Sequence, residues 1–245
     1  MINISIFHKI NPSQSKNWAD INKVFFRNFV STLVKKNMSI VNIEDSSVDA
    51  NNQYAITFDD GHISDYEIAY PLLAKNNLTA TFFIVPKYVG RPGYMNWEEI
   101  KVLSSAGMEI ASHSLSHPYF SSLKIRQVRE ELEESRKIIE DNLGKRVNSF
   151  AYPYGDFLSH HHDLAQESGY KKICTSTPGV NRFSDQILMR NSIHSKITDK
   201  QIESFISPTY GDIFTRKIGY DARAILKRTL GVSAYLRIKS FLYRN

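Results

Sequence analysis

Two pairs of residues in the sequence have the types and the spacing that a bound metal ion requires. Asp59 and Asp60 stand side by side at the end of an apolar run over residues 54–58. Adjacent carboxylates raise each other's pKa, so we expect a positive charge beside them, and a cation is the first candidate. His113 and His117 are four residues apart, which lets two imidazoles reach one ion. Taken singly, the acids could be turn residues and the histidines a surface pair.

Together the four residues predict a catalytic metal centre. Two neutral histidines and one carboxylate make three protein ligands and leave a position open for water, as in catalytic zinc sites. The remaining carboxylate is then available for proton transfer. An iron oxygenase could use the same three ligands, but it needs no second adjacent acid, and its usual His-x-Asp order is absent from these segments.

The sequence around these residues resembles the polysaccharide deacetylases of carbohydrate esterase family four, which share the NodB-homology domain. The similarity runs from about residue 5 to residue 194 and includes residues 80–85. It rests on three motifs in the family's order and at its separations, namely Thr57-Phe58-Asp59-Asp60-Gly61, His113-Ser114-x-x-His117 and Tyr152-Pro153-Tyr154-Gly155.

The resemblance implies a role for each residue of the first two motifs. Asp60 would join His113 and His117 as a ligand of a divalent metal ion, for which we expect Zn²⁺. Asp59 would be the general base that takes a proton from the attacking water. This division agrees with the chemistry, because an unliganded carboxylate beside a metal ion can accept that proton.

The later motifs imply two further catalytic groups and contain two departures from the family. The backbone N–H of Tyr154 would assist the oxyanion. His194, at the end of the last predicted strand, would donate a proton to the leaving amine, and a structural role is its alternative. Ala151 stands where the family has an arginine that holds the general base, and Arg190 is the candidate replacement. The aspartate of the fourth motif has no clear counterpart, since Asp185 is the only acid nearby.

The order of the elements predicts an α/β fold. Strand-like runs alternate with helical patterns and end in polar residues, which favours a parallel sheet closed into a barrel. Seven strand candidates follow residue 39, and the resemblance implies a distorted, incomplete (β/α)7 barrel of the glycoside hydrolase/deacetylase type. Asn96 and Glu99 predict a capping box, and Gly144 predicts the end of a long helix. We expect one continuous last strand over residues 187–193.

Charge divides the chain into two predicted parts. The 245 residues carry a net charge of +6, and residues 213–245 alone carry eight Lys and Arg against one acid. We predict a deacetylase-like catalytic domain over residues 1–212 and a basic amphipathic extension over residues 213–245. Within it, residues 221–230 and 232–243 predict two short helices separated by Gly231. Such segments bind anionic membranes peripherally, and packing on the barrel is the alternative. No nucleic-acid-binding motif accompanies the charge.

The sequence also bears on the location of the protein. Cys174 is the single cysteine, so no internal disulfide can form, and a reducing compartment is favoured. The first residues lack the basic and long apolar segments of a signal peptide. No apolar run approaches the roughly 18 residues that span a bilayer. We therefore expect a cytoplasmic protein, either free or peripheral to the inner membrane.

The predicted function is hydrolytic removal of an N-acetyl group from a sugar, with a precursor of a surface polysaccharide or lipopolysaccharide as the expected substrate. The same site could hydrolyse another non-peptide C–N bond, such as a small amide or ureide, and a degenerate domain could bind a glycan without cleaving it. We expect the run His160-His161-His162 to be exposed. Five aromatic residues could stack on sugar rings or fill the core, namely Tyr88, Tyr94, Trp97, Tyr119 and Tyr154.

Overall fold

The structure is a computed structural model, and it describes residues 1–13, 17–45, 52–182 and 184–242. From residue 227 on, only the side chain of Thr229 is described. Within these residues the strands are β1 (Ile2–Phe7), β2 (Ile10–Asn11), β3 (Ile21–Asn22), β4 (Ser39–Ile40), β5 (Gln53–Asp60), β6 (Thr81–Ile84), β7 (Glu109–Ser112), β8 (Ser149–Ala151), β9 (Lys172–Cys174), β10 (Val180–Asn181), β11 (Ile187–Leu188) and β12 (Asn191–Ser192).

Helices follow most of the strands. The α-helices within the described residues are α1 (Lys23–Lys35), α2 (Tyr70–Lys75), α3 (Trp97–Ser105), α4 (Ile125–Leu143), α5 (His161–Glu167), α6 (Ile202–Ile206) and α7 (Tyr210–Leu242). A π-helical turn, Asp65–Ala69, leads into α2. Short 3₁₀ turns lie at Pro86–Tyr88, Phe120–Ser122, Pro153–Gly155 and Asp199–Gln201.

The main sheet is a nearly closed barrel whose strands, apart from β10, pair in parallel. Its order is β10-β1-β5-β6-β7-β8-β9-β11, in which β10 is antiparallel to β1 and all later neighbours are parallel. β4 pairs in parallel with β5 outside this order. β12 returns to pair in parallel with β1, so β11 and β12 are two halves of a seventh position in the barrel. The α/β barrel predicted from the sequence is confirmed. Because the strands are parallel, their carboxyl ends meet at one rim, where barrels of this type build their sites.

The prediction of a continuous last strand is wrong. The strand stops at Leu188 and starts again at Asn191. Between the halves, the N–H of Met189 donates to the side-chain oxygen of Asn181 at 2.7 Å, and the N–H of Arg190 donates to the carbonyl of Thr177 at 3.0 Å. The break accompanies an inward turn of the Arg190 side chain, which is fully buried.

Aromatic rings fill the layer between the barrel and its helices. The ring of Phe58 on β5 stacks on Phe82 at 4.9 Å and on Phe7 at 5.5 Å, and meets the edge of Phe26 at 5.7 Å. A second cluster of small and apolar side chains lies in the barrel, and its buried residues are Ile2, Ile4, Ile43, Ala55, Phe83, Ala111, Ala151, Cys174 and Leu188. β5 is therefore buried over almost its whole length, and the two acids at its end are held on a rigid support.

The predicted helix ends are confirmed where the structure describes them. The side-chain oxygen of Asn96 accepts the N–H of Glu99 at 3.0 Å, and the Glu99 carboxylate accepts the N–H of Asn96 at 2.7 Å. This capping box starts α3. Gly144 ends α4 with a φ of 64°, a left-handed conformation that glycine adopts without a steric penalty.

The C-terminal segment forms one helix, so the prediction of two helices separated by Gly231 is wrong. α7 runs through that residue without interruption. A glycine inside a helix costs only about 1 kcal/mol relative to alanine, which one position does not turn into a break. The predicted domain boundary at residue 212 falls inside α7 and stays a prediction.

The early turns of α7 pack on α6. Nη2 of Arg216 donates to the backbone oxygen of Ser204 at 2.8 Å, and the guanidinium lies 3.7 Å from the centre of the Phe205 ring.

The apolar residues of the predicted membrane-binding segment are described only in part. Ile225 and Leu226 are exposed. The side chains of Leu230, Tyr235, Leu236, Ile238, Phe241 and Leu242, on which the membrane prediction also rests, lie outside the described ones, so that prediction stays open. In the described part of the chain, no helix combines the length and the apolar character of a membrane span.

We expect Phe58→Ala to lower the free energy of unfolding by about 3–5 kcal/mol, because the cavity that it leaves lies among rings held by several elements. Urea unfolding followed by circular dichroism measures the change. Phe214→Ala is the matched control, since this ring on α7 is 54% exposed, and its loss should cost less than about 0.5 kcal/mol. Equal losses in the two variants would show that the ring cluster does not support β5.

Candidate active site

Three predicted metal ligands meet at the carboxyl ends of β5 and β7. Oδ1 of Asp60 lies 3.1 Å from Nε2 of His117 and 3.5 Å from Nε2 of His113. One ligand atom of each residue lies within 4.8 Å of the other two. Asp60 Oδ1 is buried and has no hydrogen-bond donor of good geometry among the described residues. Two imidazole nitrogens and an unsatisfied carboxylate oxygen form a donor set that fits a divalent ion such as zinc.

The surroundings of His113 hold it in the form that binds metals. Its Nδ1 lies 2.8 Å from the backbone oxygen of Ala151. Because a carbonyl oxygen can only accept, Nδ1 carries the hydrogen, and the lone pair of Nε2 faces Asp60. Burial lowers the pKa of His113 to about 4, although Asp59 and Asp60 act in the opposite direction. The ring is therefore neutral at neutral pH, as a metal ligand must be.

The carboxylate of Asp60 is held in its charged form. Burial alone would raise its pKa, but His117, His8 and His113 together lower it below the usual aspartate value. His8 lines the same cavity as Asp60. An ionised carboxylate gives the candidate ligand set one negative charge.

Backbone strain is concentrated around these ligands. Four non-glycine residues of the site have positive φ angles, with 81° at Asp60, 65° at Ser114, 61° at His117 and 58° at Tyr154. Each such conformation costs on the order of 1–3 kcal/mol and persists only where the surrounding structure enforces it. The Ser114 hydroxyl, for example, accepts the N–H of His117 at 3.0 Å. The concentration of strain at one place is typical of a functional site.

Asp59 has a separate partner, the guanidinium of Arg190. Nη1 donates to Oδ1 at 2.8 Å and Nη2 donates to Oδ2 at 2.9 Å, and both side chains are buried. Arg190 also donates to the carbonyl of Thr175 and the hydroxyl of Thr57, and lies over the ring of Phe83. Burial alone would raise the pKa of Asp59, but the charge and hydrogen bonds of Arg190, together with His113 and His8, hold this pKa below the usual value. The sequence suggests that Arg190 replaces the arginine absent at position 151, and the structure confirms the contact between Arg190 and Asp59.

The ring of Tyr154 lies beside His117, one of the candidate metal ligands. Its ring stacks on Tyr119 at 4.0 Å and meets His117 edge-on at 4.4 Å. The hydrogen bonds of its turn run from the N–H of Gly155 to Tyr152 and from the N–H of Asp156 to Pro153. They do not use the N–H of Tyr154, which is the group that the sequence predicts for the oxyanion.

His194 lines the same cavity, but its surroundings favour the neutral ring. It stacks on Trp18 with 4.5 Å between the ring centres, and its buried Nδ1 has no hydrogen-bond partner among the described residues. Burial, together with the positive charges of Arg223 and Lys196, lowers the pKa of His194 to about 4. Its role as the proton donor stays a prediction.

The site opens into a cavity of about 540 Å³. The predicted residues and Trp18 form one side of this cavity. The other side is formed by α7, through Thr215, Arg216, Gly219, Tyr220 and Arg223. Sequence reasoning missed these residues, although their spacing of three or four positions could have indicated one polar helix face.

Some of the predicted aromatic and histidine residues lie away from the candidate metal ligands. Tyr88 lies 5.9 Å from His117, between ring centres, and Tyr94 packs on Tyr88. Trp97 instead lines a separate groove of about 780 Å³ that contains none of the site residues. The expectation that the His160-His161-His162 run is exposed is wrong for His161, which is buried.

The comparison with known families decides the affiliation of the chain. The family model of the polysaccharide deacetylases matches residues 48–173, which include both acids and both histidines. The chain belongs to the polysaccharide deacetylase family. The Bacillus subtilis (strain 168) protein YxkH is 28% identical over 182 residues, which are 72% of this chain and 65% of that protein.

Other deacetylases share parts of the sequence or the fold. The poly-β-1,6-N-acetyl-D-glucosamine N-deacetylase of Staphylococcus aureus (strain MSSA476) is 31% identical over 115 residues, 41% of this chain and 39% of that protein. The chain thus spans less than two thirds of the length of YxkH and of this enzyme. The structure of the Streptococcus pyogenes deacetylase PplD in complex with acetate matches with a TM-score of 0.77 and 20% identity, over 84% of this chain and 98% of that one, and has the same fold.

We expect Arg190→Gln to lower the free energy of unfolding by about 3–5 kcal/mol at neutral pH, because it leaves the Asp59 carboxylate buried without a counter-charge. Because folding lowers the pKa of Asp59, its ion pair with Arg190 contributes fully to the free energy of unfolding above about pH 4, the ordinary pKa of an aspartate. This contribution is lost as the pH falls below that value. The difference between wild type and variant should therefore shrink as the pH falls towards about 3.

Urea unfolding at a series of pH values, with a chelator present throughout, measures this difference. The control is Arg146→Gln, which removes an exposed guanidinium and should change the stability by less than about 0.5 kcal/mol at any pH. A loss in Arg190→Gln that does not depend on pH would assign it to packing rather than to the ion pair.

Proposed function

We propose that the chain is a metal-dependent N-deacetylase that hydrolyses the N-acetyl group of a sugar. One observation carries the proposal: the ligand atoms of Asp60, His113 and His117 lie within 4.8 Å of one another, beside a fourth group, Asp59, that is buried and paired. Membership of the family supports the reaction class. The name of the Staphylococcus aureus relative supports N-acetylglucosamine as the sugar.

Asp60, His113 and His117 would hold the ion, which we expect to be zinc. When bound, such an ion supplies Lewis acidity, which polarises an acyl carbonyl and makes water more acidic. The neutral His113 ring and the ionised Asp60 carboxylate are the protonation states that ligation needs.

The other residues would move protons and stabilise charge. Asp59, ionised and oriented by Arg190, would accept a proton from the water that attacks the acetyl carbon. The N–H of Tyr154 would donate to the oxyanion that forms on the acetyl oxygen. The leaving amine needs a proton, for which His194 is the candidate donor, and its lowered pKa means that it must first take up a proton.

The substrate class is tested by incubating the zinc-loaded protein with chitooligosaccharides, nucleotide-linked N-acetyl sugars and lipid-linked N-acetyl sugars while acetate is measured. Acetate release from any of them supports the proposal. Binding without release would favour a glycan-binding domain. Hydrolysis of small amides or ureides alone, followed in parallel by disappearance of the substrate, would favour hydrolysis of another C–N bond. The cytoplasmic location expected from the sequence stays a prediction.

We expect the purified protein to contain one zinc ion per chain, because the three ligands converge on one point. Chelation should abolish acetate release, and added zinc should restore it. Elemental analysis of wild type and of His113→Ala measures the metal, and the variant should have lost it. His160→Ala removes an exposed imidazole and is the control, with full zinc content expected. Equal zinc in all three proteins would place the ion elsewhere.

The two aspartates should respond differently to the same substitution. Asp59→Asn should keep its zinc but lose turnover by roughly 10²-fold or more, since it removes a general base. Asp60→Asn should lose zinc affinity first, since it removes a ligand charge. Zinc titration and acetate release, measured side by side, separate the two effects. The assignment is reversed if Asp59→Asn loses the metal and Asp60→Asn retains it.

A further inference from the structure

The face of α7 that lines the cavity is continuous. Thr215, Gly219 and Arg223 follow one another at intervals of four residues, and Arg216 and Tyr220 form a parallel row beside them. Residues four apart lie above one another on a helix, so these five face the cavity together. Asp60, His113 and His117 line the same cavity, so one bound ligand could contact both α7 and these residues.

Arg216 is fixed in place but incompletely satisfied. Its Nη2 donates to the backbone oxygen of Ser204 at 2.8 Å and to the hydroxyl at 3.1 Å, and its guanidinium packs on Phe205. Its Nη1 is buried and has no hydrogen-bond partner among the described residues. A buried donor without an acceptor lowers the stability of the fold, so a ligand that offers an acceptor to Nη1 would gain binding free energy.

Arg223 lies beside Gly219 on the same helix. Its Nη1 is 3.6 Å from the position that a Cβ atom on Gly219 would occupy, an ordinary contact distance. The Arg223 side chain therefore lies against the helix surface, and both residues line the cavity.

Among the described cavity-lining residues of α7, no acid balances the positive charges of Arg216 and Arg223. The acids among the described cavity-lining residues are Asp59 and Asp60, and Asp59 is paired with Arg190 whereas Asp60 faces the histidines. Asp212, near Arg216, accepts hydrogen bonds from Thr209 at the start of α7. The positive charge of Arg223 is also felt at His194, whose pKa it helps to lower.

We propose that Arg216, Tyr220 and Arg223 form a subsite for a phosphoryl group attached to the N-acetylated sugar, a proposal that rests on the proposed deacetylase function. Guanidinium groups match the geometry of phosphate oxygens and bind them with charge-assisted hydrogen bonds. A cavity of about 540 Å³ also holds more than an acetamido group. Sugars linked to a nucleotide diphosphate or to a lipid diphosphate both present this chemistry beside the sugar ring.

Phosphate binding by the zinc-loaded full-length protein tests the subsite directly, with inorganic phosphate as the probe and calorimetry at low salt as the measurement. Arg223→Gln should weaken binding about tenfold or more, as expected for loss of a charge-assisted contact. Lys217→Gln is the matched control, because it removes the same charge from the same helix, where Lys217 pairs with Asp221. Equal weakening in both variants would reduce the effect to net charge and overturn the subsite.

Two further arms separate this proposal from the proposed function. Phosphate binding should persist in Asp60→Asn, and its loss there would place phosphate on the metal and overturn the subsite. Arg223→Gln should raise the KM for a diphosphate-linked N-acetyl sugar at least about tenfold more than the KM for chitotetraose. Comparison of UDP-N-acetylglucosamine with a short-chain polyprenyl diphosphate N-acetylglucosamine then identifies the carrier by the lower KM.

The two proposals can fail independently. If no sugar releases acetate but phosphate binding depends on Arg223, the deacetylase function fails and the subsite stands. If acetate is released with the same KM ratio in wild type and in Arg223→Gln, the deacetylase function stands and the subsite fails.

Discussion

Two carboxylates at consecutive positions, one buried and the other half-buried, are both held ionised and need two separate sources of compensating charge. Arg190 supplies one to Asp59 through two nitrogens, and the ion that we propose between Asp60, His113 and His117 would supply the other. Identical side chains thereby acquire different chemistry: one carboxylate is oriented by a guanidinium, and the other keeps an oxygen available to an ion. The left-handed backbone of Asp60, with a φ of 81°, accompanies this separation. That strain is tolerable because β5 is buried between the aromatic layer and the barrel interior.

The ion pair also connects the catalytic rim to the closure of the barrel. Arg190 lies between β11 and β12, and β12 completes the barrel by pairing with β1. The guanidinium enters the interior where Phe83 and the small Ala151 lie. The side chain of Ala151 cannot pair with Asp59, the proposed base. Its carbonyl oxygen nevertheless orients His113, so this position still contributes to the site. A barrel that failed to close would therefore lose the partner of Asp59 as well as the last strand.

The sequence predicted that Asp59, Asp60, His113 and His117 meet because they follow short apolar runs, and parallel strands bring such positions to one rim. It did not predict the break at Met189 and Arg190, since residues 187–193 read as one strand. The contacts that accompany the break join it to Asn181, Thr177 and the distant Asp59. Gly231 was read as a helix break, although its propensity cost is small beside the continuity of the helix. His161 was expected in solvent because a run of three histidines is polar, yet one ring packs on Phe120.

The wall formed by α7 was beyond sequence reasoning for a different reason. Its residues are more than 150 positions from Asp59, and no local pattern reports a contact at that separation. The basic charge of residues 213–245 was visible, but its position relative to the site was not. The barrel supplies the groups proposed for catalysis, and α7 supplies positive charge to the same cavity. Burial is the main cause of the lowered pKa of His194, and the charge of Arg223 adds to it. The two groups that line the cavity are therefore not independent, because the charge on α7 acts on a ring held by the barrel.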